Sequence, residues 1–318
     1  MSPSSDSVAA DLAVLGGGAW GRALAVLARR AGRSPVLWAR RPEAVEGVRV
    51  TGEMSAARAP IALLAVPAAA AAEVAAAWSA AGGSGTLVSC AKGFDPATGG
   101  LLSDAIAEAA PGCAVAVLSG PTFAGEAARG VPTAATVAAV DPETAARVAA
   151  ALGSPTFRLY TSTDMVGVEA AGAFKNVLAI ACGIADGLAL GDNARAALIT
   201  RGLAELARLV AALGGRAETV MGLAGLGDVV LTCTSGQSRN YAFGLRLGEG
   251  MARDAALAAS RGVVEGAGTA AALLARGRDL DLDLPVTAAV DAVLNRGADM
   301  EAVAAALLAR PPRGAETG

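Results

Sequence analysis

The chain is predicted to form an α/β domain on a mostly parallel, doubly wound sheet, followed by an all-α domain. Three observations carry this expectation. Short apolar runs without alternation recur through the first half, the pattern of strands buried on both faces. Stretches of helical spacing separate them, as parallel strands require. From about Asp164 the strand-like runs fade, and long Ala/Leu/Val segments broken by glycine take over. The expected boundaries are residues 8–162 for the α/β domain and 163–310 for the helical one, with 1–7 and 311–318 as tails.

The elements follow in order. Leu12–Leu15 reads as the first buried strand, Arg22–Arg30 as the first helix, and Ser34–Ala39 as the second strand. Between the first strand and helix, Gly16, Gly18 and Gly21 give the G-x-G-x-x-G spacing of a dinucleotide-binding, Rossmann-type turn. The first glycine permits the turn, the second lets backbone approach a pyrophosphate, and the third lets helix pack on strand. An NAD site would carry an acidic residue at the end of the second strand; Arg40 and Arg41 stand there instead. Guanidinium suits a 2′-phosphate, so NADP(H) is favoured and NAD(H) possible, an ordinary solvated arginine pair being the plain alternative.

Further strands are expected at Ile61–Val66, Thr86–Ala91 and Ala114–Leu118. Ligands bind beyond the carboxyl ends of such strands. Pro67, the stretch Ala91-Lys92-Gly93, and Ser119 to Phe123 should therefore line one cleft. The apolar stretch from Ile61 to Ala81 is interrupted by Pro67 and Glu73 and fits a strand and an alanine-rich helix better than a membrane span, so no stable membrane insertion is expected.

In the second half, Thr163-Asp164 offers an N-cap to a helical segment, Met165 to Leu190, that carries Glu169, Lys175, Asn176 and Asp186. An unpaired ammonium at Lys175 inside that apolar segment would be costly, so it must face a cleft or a carboxylate. Asp228 is the natural partner, with Thr232 one helical turn later; Asp228 is also expected to cap its helix. The loop from Thr234 to Asn240 supplies Arg239 and Asn240 beside backbone amides, a set suited to a phosphate.

Composition narrows the chemistry. The chain has two lysines, Lys92 and Lys175, 24 arginines and no histidine, so lysine is the leading candidate to move a proton. Net charge of −3 gives no basic surplus for nucleic acid. Cys90, Cys113, Cys182 and Cys233 form no CxxC pair, and no metal site is expected. Reduced thiols and a beginning without a signal-peptide pattern point to the cytoplasm. Abundant Ala and Leu in the helical half suggest a homodimer.

The blocks GGGAWG, VLWAR, CAKGFDPATG, SGPTFAGE, GAFKNVLAI, NARAALITRGLAE, GLAGLGDVVLTCTSGQSRN and GVVEG resemble, in order, those of the bacterial NAD(P)-dependent glycerol-3-phosphate dehydrogenases, over roughly residues 12–305. The resemblance implies reversible reduction of dihydroxyacetone phosphate to sn-glycerol 3-phosphate for phospholipid synthesis. It implies Lys175 as the general acid, Lys92 holding substrate, and Asp228 orienting Lys175 or a substrate hydroxyl. Gly120 and Thr122 would be substrate-loop positions, while Ser238, Arg239 and Asn240 would contact the phosphate and terminal hydroxyl. Ala19, Trp20, Arg40, Ala124, Val263 and Glu265 match cofactor-contact positions. Lys92 and Arg239 are expected to tune Lys175 downward. The stretch from Glu43 to Ala59 is shorter than the family pattern, which trims the helix and strand on the adenosine side. Two other readings remain: a ketopantoate- or hydroxyisobutyrate-type dehydrogenase, and a non-catalytic NADP-binding sensor.

Overall fold

A computed structural model describes residues 10–260 and 262–310. The tails expected at 1–7 and 311–318 lie outside the described residues. The first half alternates strand and helix in the order β1 (Leu12–Leu15), α1 (Ala19–Arg30), β2 (Pro35–Trp38), β3 (Arg49–Thr51), β4 (Ile61–Leu64), α2 (Ala68–Ala80), β5 (Thr86–Ser89), α3 (Leu102–Ala109), β6 (Ala114–Ser119), α4 (Ala124–Arg129), β7 (Thr133–Ala139), α5 (Pro142–Leu152) and β8 (Phe157–Ser162). These build one sheet in the order β3-β2-β1-β4-β5-β6-β7-β8. Every neighbouring pair is parallel except β6 with β7. The strand order reverses beside β1, where a ligand crevice is expected.

The period of two along β1 decides which side each residue serves. Leu12 and Val14 pack with Leu24 and Phe157 on one face, whereas Ala13 and Leu15 pack with Trp78 and Ile106 on the other. Both faces are covered by helices, which is why the strands read as continuous apolar runs. Trp78 is fully buried and satisfies its indole by donating to the Ala57 carbonyl at 2.9 Å.

Two features depart from expectation. The short stretch after β2 lacks a crossover helix, but it keeps a three-residue strand, β3, followed by a 3₁₀ turn at Met54–Ala57. The β7–β8 pair, not singled out in the sequence, adds an edge whose last strand is largely exposed on alternate residues.

The helical half comprises α6 (Met165–Gly187), α7 (Asp192–Ala212), α8 (Asp228–Cys233), α9 (Arg239–Gly248), α10 (Arg253–Ala258), α11 (Glu265–Asp279), α12 (Pro285–Arg296) and α13 (Met300–Leu308). Asp164 caps α6 as expected, accepting from the Gly167 amide at 2.9 Å. α6 is the central post, packed by α7, α9, α11 and α12. By length and composition alone it could cross a membrane, but it is wholly buried here. Its glycines permit the closest approach: a Cβ on Gly183 would lie 2.1 Å from the Tyr241 carbonyl of α9. This crossing brings Lys175 and Asn176 beside the start of α9.

Candidate active site

The glycine turn after β1 has the shape its spacing requires. Gly16 adopts φ +129°, and a Cβ there would lie 2.4 Å from the Ala65 carbonyl. A Cβ on Gly21 would fall 1.8 Å from the Gly16 carbonyl, so only glycine lets α1 start this close. At Gly18 a Cβ would meet nothing within 4 Å, which leaves that edge open. Gly18 is also the N-cap of α1 and carries no side-chain acceptor, so the first amides of the helix are available to an anion. This cradle fits a dinucleotide pyrophosphate.

The turn opens into a cleft of about 450 Å³, lined from the α/β side by Gly18, Ala19, Trp20, Pro67, Lys92, Thr122 and Ala124. The helical side contributes Lys175, Asn176, Thr232, Ser238, Arg239, Asn240, Val263 and Glu265. Its size is that of an ordinary small-molecule site, roughly 300–1,000 Å³. Gly16 and Gly21 shape the turn without lining the cleft. Arg40 and Arg41 lie exposed just beyond β2, outside the lining residues.

At the floor, Asp228 bridges the two lysines. Lys92 Nζ donates to Asp228 Oδ2 at 2.5 Å and to the Gly120 carbonyl at 2.8 Å. Lys175 Nζ donates to Asp228 Oδ1 at 3.2 Å and to Thr232 Oγ1 at 2.9 Å. Thr232 in turn donates to Asp228 Oδ1 at 3.1 Å. The expected cap is therefore not made: Asp228 is the first residue of α8, and its carboxylate is spent on the lysines. Thr122 Oγ1 also donates to the Gly120 carbonyl, at 3.2 Å.

Asp228 is 1% exposed and Lys175 8% exposed, so the pair is read with little screening. Burial works against the Asp228 carboxylate, but the charges and hydrogen bonds of Lys175 and Lys92 outweigh it and hold the group below the usual carboxylate range. Burial also disfavours the Lys175 ammonium. Asp228 opposes that effect, Lys92 adds to it, and the amine is brought down to about 8. The expectation that Arg239 shares in this tuning is not met. Arg239 instead acts on Glu265, whose carboxyl is raised by burial and pulled back by Arg239, Lys175 and Lys92.

A second network fixes the rim. Asn176 Nδ2 donates to the Lys92 carbonyl at 2.9 Å and lies 3.5 Å from Glu265 Oε2. Asn240 Nδ2 donates to Asn176 Oδ1 at 2.8 Å, and its own oxygen accepts from the Gly266 amide at 3.1 Å. Arg239 and Asn240 lie in the first turn of α9 rather than in a loop, with Ser238 as its N-cap accepting from the Tyr241 amide at 3.2 Å. Exposed Arg239 is left to reach an anion at the cleft. Phe123 lines the cleft as expected, whereas sequence reasoning missed Gln237 and Cys90 as lining residues. Gln237 sits inside the SGQSRN block, which was the available signal. Cys90 follows a buried strand, and burial, partly offset by Lys92, pushes its thiol up to about 12, so it is no nucleophile.

A dinucleotide cradle facing a buried lysine–carboxylate pair defines a two-domain dehydrogenase, an oxidoreductase that binds a nicotinamide cofactor in its first half. The profile of the NAD-dependent glycerol-3-phosphate dehydrogenase N-terminus matches residues 11–56 and 49–145, and that of the C-terminus matches 164–305. The chain is 46% identical to glycerol-3-phosphate dehydrogenase [NAD(P)+] of Rhodospirillum rubrum, over 95% of this chain and 93% of that one. The protein of the same name from Parvibaculum lavamentivorans is also 46% identical, with 95% and 97% covered. The crystal structure of glycerol-3-phosphate dehydrogenase from Coxiella burnetii superposes with a TM-score of 0.90 at 36% identity, covering 95% of this chain and 99% of that one. The chain belongs to the NAD-dependent glycerol-3-phosphate dehydrogenase family.

Proposed function

We propose that the protein catalyses the reversible NAD(P)H-dependent reduction of dihydroxyacetone phosphate to sn-glycerol 3-phosphate. The observation that carries this is the buried Lys175–Asp228–Lys92 bridge at the floor of the dinucleotide cleft, with Arg239 at its rim. Gly18, Ala19 and Trp20 would hold the dinucleotide, and the bound nicotinamide supplies the hydride.

The protein's own groups do the rest. Lys175 Nζ donates a proton to the substrate C2 oxygen as negative charge builds there, and the neutral amine takes it back in the reverse direction. Lys92 and Lys175 together make a positive floor for that oxygen, which matters most in a site screened from water. Asp228 holds both ammoniums at fixed separation, and Thr232 orients Lys175. Ser238, Arg239 and the first turn of α9 recognise the phosphate, with Thr122 and Gly120 on the facing wall. Asn176 and Asn240 tie the walls together. Arg40, joined by Arg41, would meet a ribose 2′-phosphate and so favours NADP(H) over NAD(H). The same reading sets the domain division at residues 162 and 163 and describes a cytoplasmic homodimer that supplies phospholipid synthesis.

The test is an assay of reduced-nicotinamide oxidation by the purified protein, with NADPH and NADH in parallel and with dihydroxyacetone phosphate set against dihydroxyacetone. Oxidation that depends on the phosphate is expected. Equal rates with unphosphorylated or simple 2-keto-acid substrates would favour another dehydrogenase, and cofactor binding without turnover would favour a sensor.

A further inference from the structure

Lys92 stands between β5 and α3 at the head of a loop, residues 90–101, that leaves the sheet and enters the helical half. Three contacts fasten it there. Asn176 of α6 donates to the Lys92 carbonyl at 2.9 Å. Phe94, 5% exposed, lies within the helical core among Phe174 and Val177, and Leu101 packs against the same core. Beyond Leu101, the Ser103 amide donates to Glu169 Oε1 of α6 at 3.0 Å. The loop is braced within itself, because Asp95 accepts from the Thr98 amide at 3.0 Å and its hydroxyl at 2.7 Å. It is therefore held as a unit.

Glu169 is the unexpected member. It is 3% exposed, its Oε2 has no partner, and among the described residues no cation pairs with it. Burying a carboxyl in this way is unfavourable. Burial pushes it up to about 7 against the hydrogen bonds from Ser103 and the Leu102 amide. If α3 needed only an N-cap, a Ser or Asp at position 101 would supply one locally, whereas Leu101 has no acceptor. What Glu169 adds is a tie between the two halves. Glu169, Gly172 and Asn176 share one face of α6 at spacings of three and four residues. A Cβ on Gly172 would lie 3.6 Å from Lys92 Cγ and 2.7 Å from Ser119 Oγ, so this face presses on the Lys92 stem.

We propose that Glu169 is a positioning residue: by gripping the amino end of α3 it fixes the Lys92 loop to α6, so that Lys92, Asp228 and Lys175 keep one geometry. The inference rests on the roles given above to the two lysines. It is tested on the full chain with E169A and E169Q, reading kcat and KM for dihydroxyacetone phosphate, NADPH affinity by fluorescence, and the alkaline limb of the pH profile.

For E169A, kcat/KM falls roughly 10- to 100-fold, as misplacement of a catalytic group by about 1 Å produces, while NADPH affinity stays within about twofold. The alkaline limb moves to higher pH, because a loosened Lys92 no longer depresses Lys175; Asp228, Lys92 and Cys233 are the groups that bear on that amine. E169Q keeps the acceptor oxygen and stays within about threefold of the parent. An E169A enzyme with unchanged kcat/KM and limb, or an E169Q enzyme as impaired as E169A, overturns the proposal. Hydrogen exchange of the unmutated protein decides independently of folding or activity of any variant. The amides of Asp95, bonded to the Gly100 carbonyl, and of Ser103, bonded to Glu169, should exchange as slowly as those of α6, and fast exchange there contradicts the tie. Should the parent fail to reduce dihydroxyacetone phosphate, the functional reading fails, and exchange still answers for Glu169.

Discussion

At the scale of single residues, Lys175 illustrates how a scarce side chain becomes a reactive one. A lysine ordinarily titrates near 10.4, too high to exchange a proton readily near neutrality. Burial and Lys92 bring Lys175 down to about 8, against the pull of Asp228. The sign of the pH effect follows. Reduction needs the ammonium, so its kcat/KM should fall as pH rises through about 8, whereas oxidation needs the neutral amine and should rise through the same region. Initial rates in both directions across that range check this, and a reduction rate flat to well above the limb would contradict it. The lysine and its carboxylate partner were legible in the sequence, because an ammonium in an apolar helix demands company. The Lys92–Asp228 bond was not, since its two ends lie 136 residues apart and only the fold brings them together.

At the scale of elements, the glycine turn was fully legible and the stretch after β2 was not. G-x-G-x-x-G between a strand and a helix specifies a backbone path, and the contacts at Gly16 and Gly21 are those the spacing anticipates. Gly21→Ala would force a Cβ to within 1.8 Å of the Gly16 carbonyl. Overpacking of this kind costs about 1–3 kcal/mol, and NADPH binding should weaken with it; thermal unfolding and fluorescence titration measure the two effects. After β2, no apolar periodicity marked β3, because a three-residue edge strand with an exposed first residue carries almost no pattern. Arg40 stands beyond β2, in the exposed segment leading to β3. Arg40→Ala should raise the KM for NADPH roughly tenfold relative to NADH, the loss of one charge-assisted hydrogen bond. Equal change for both cofactors would separate Arg40 from the 2′-phosphate. The start of α9 was misread as loop because Ser, Gly, Gln and Asn dominate it, although Ser238 is an ordinary N-cap.

At the scale of the whole molecule, the two halves have different cores and share one cleft. The α/β half contributes amides and open backbone for an anion together with Lys92, and the helical half contributes the buried Lys175 and Asp228. The change from buried strands to helical spacing made this division readable. The β7–β8 edge, which joins the sheet through the antiparallel β6–β7 pair, escaped because the alanine-rich β7 resembles the alanine-rich helices around it. The central claim is that the chemistry lies where the halves meet, at Lys175. The most direct measurement is kcat of Lys175→Ala with dihydroxyacetone phosphate and NADPH, alongside NADPH binding by fluorescence. The account predicts loss of about 10²–10⁴-fold in kcat with cofactor binding intact. Near-normal turnover by the folded variant would contradict it.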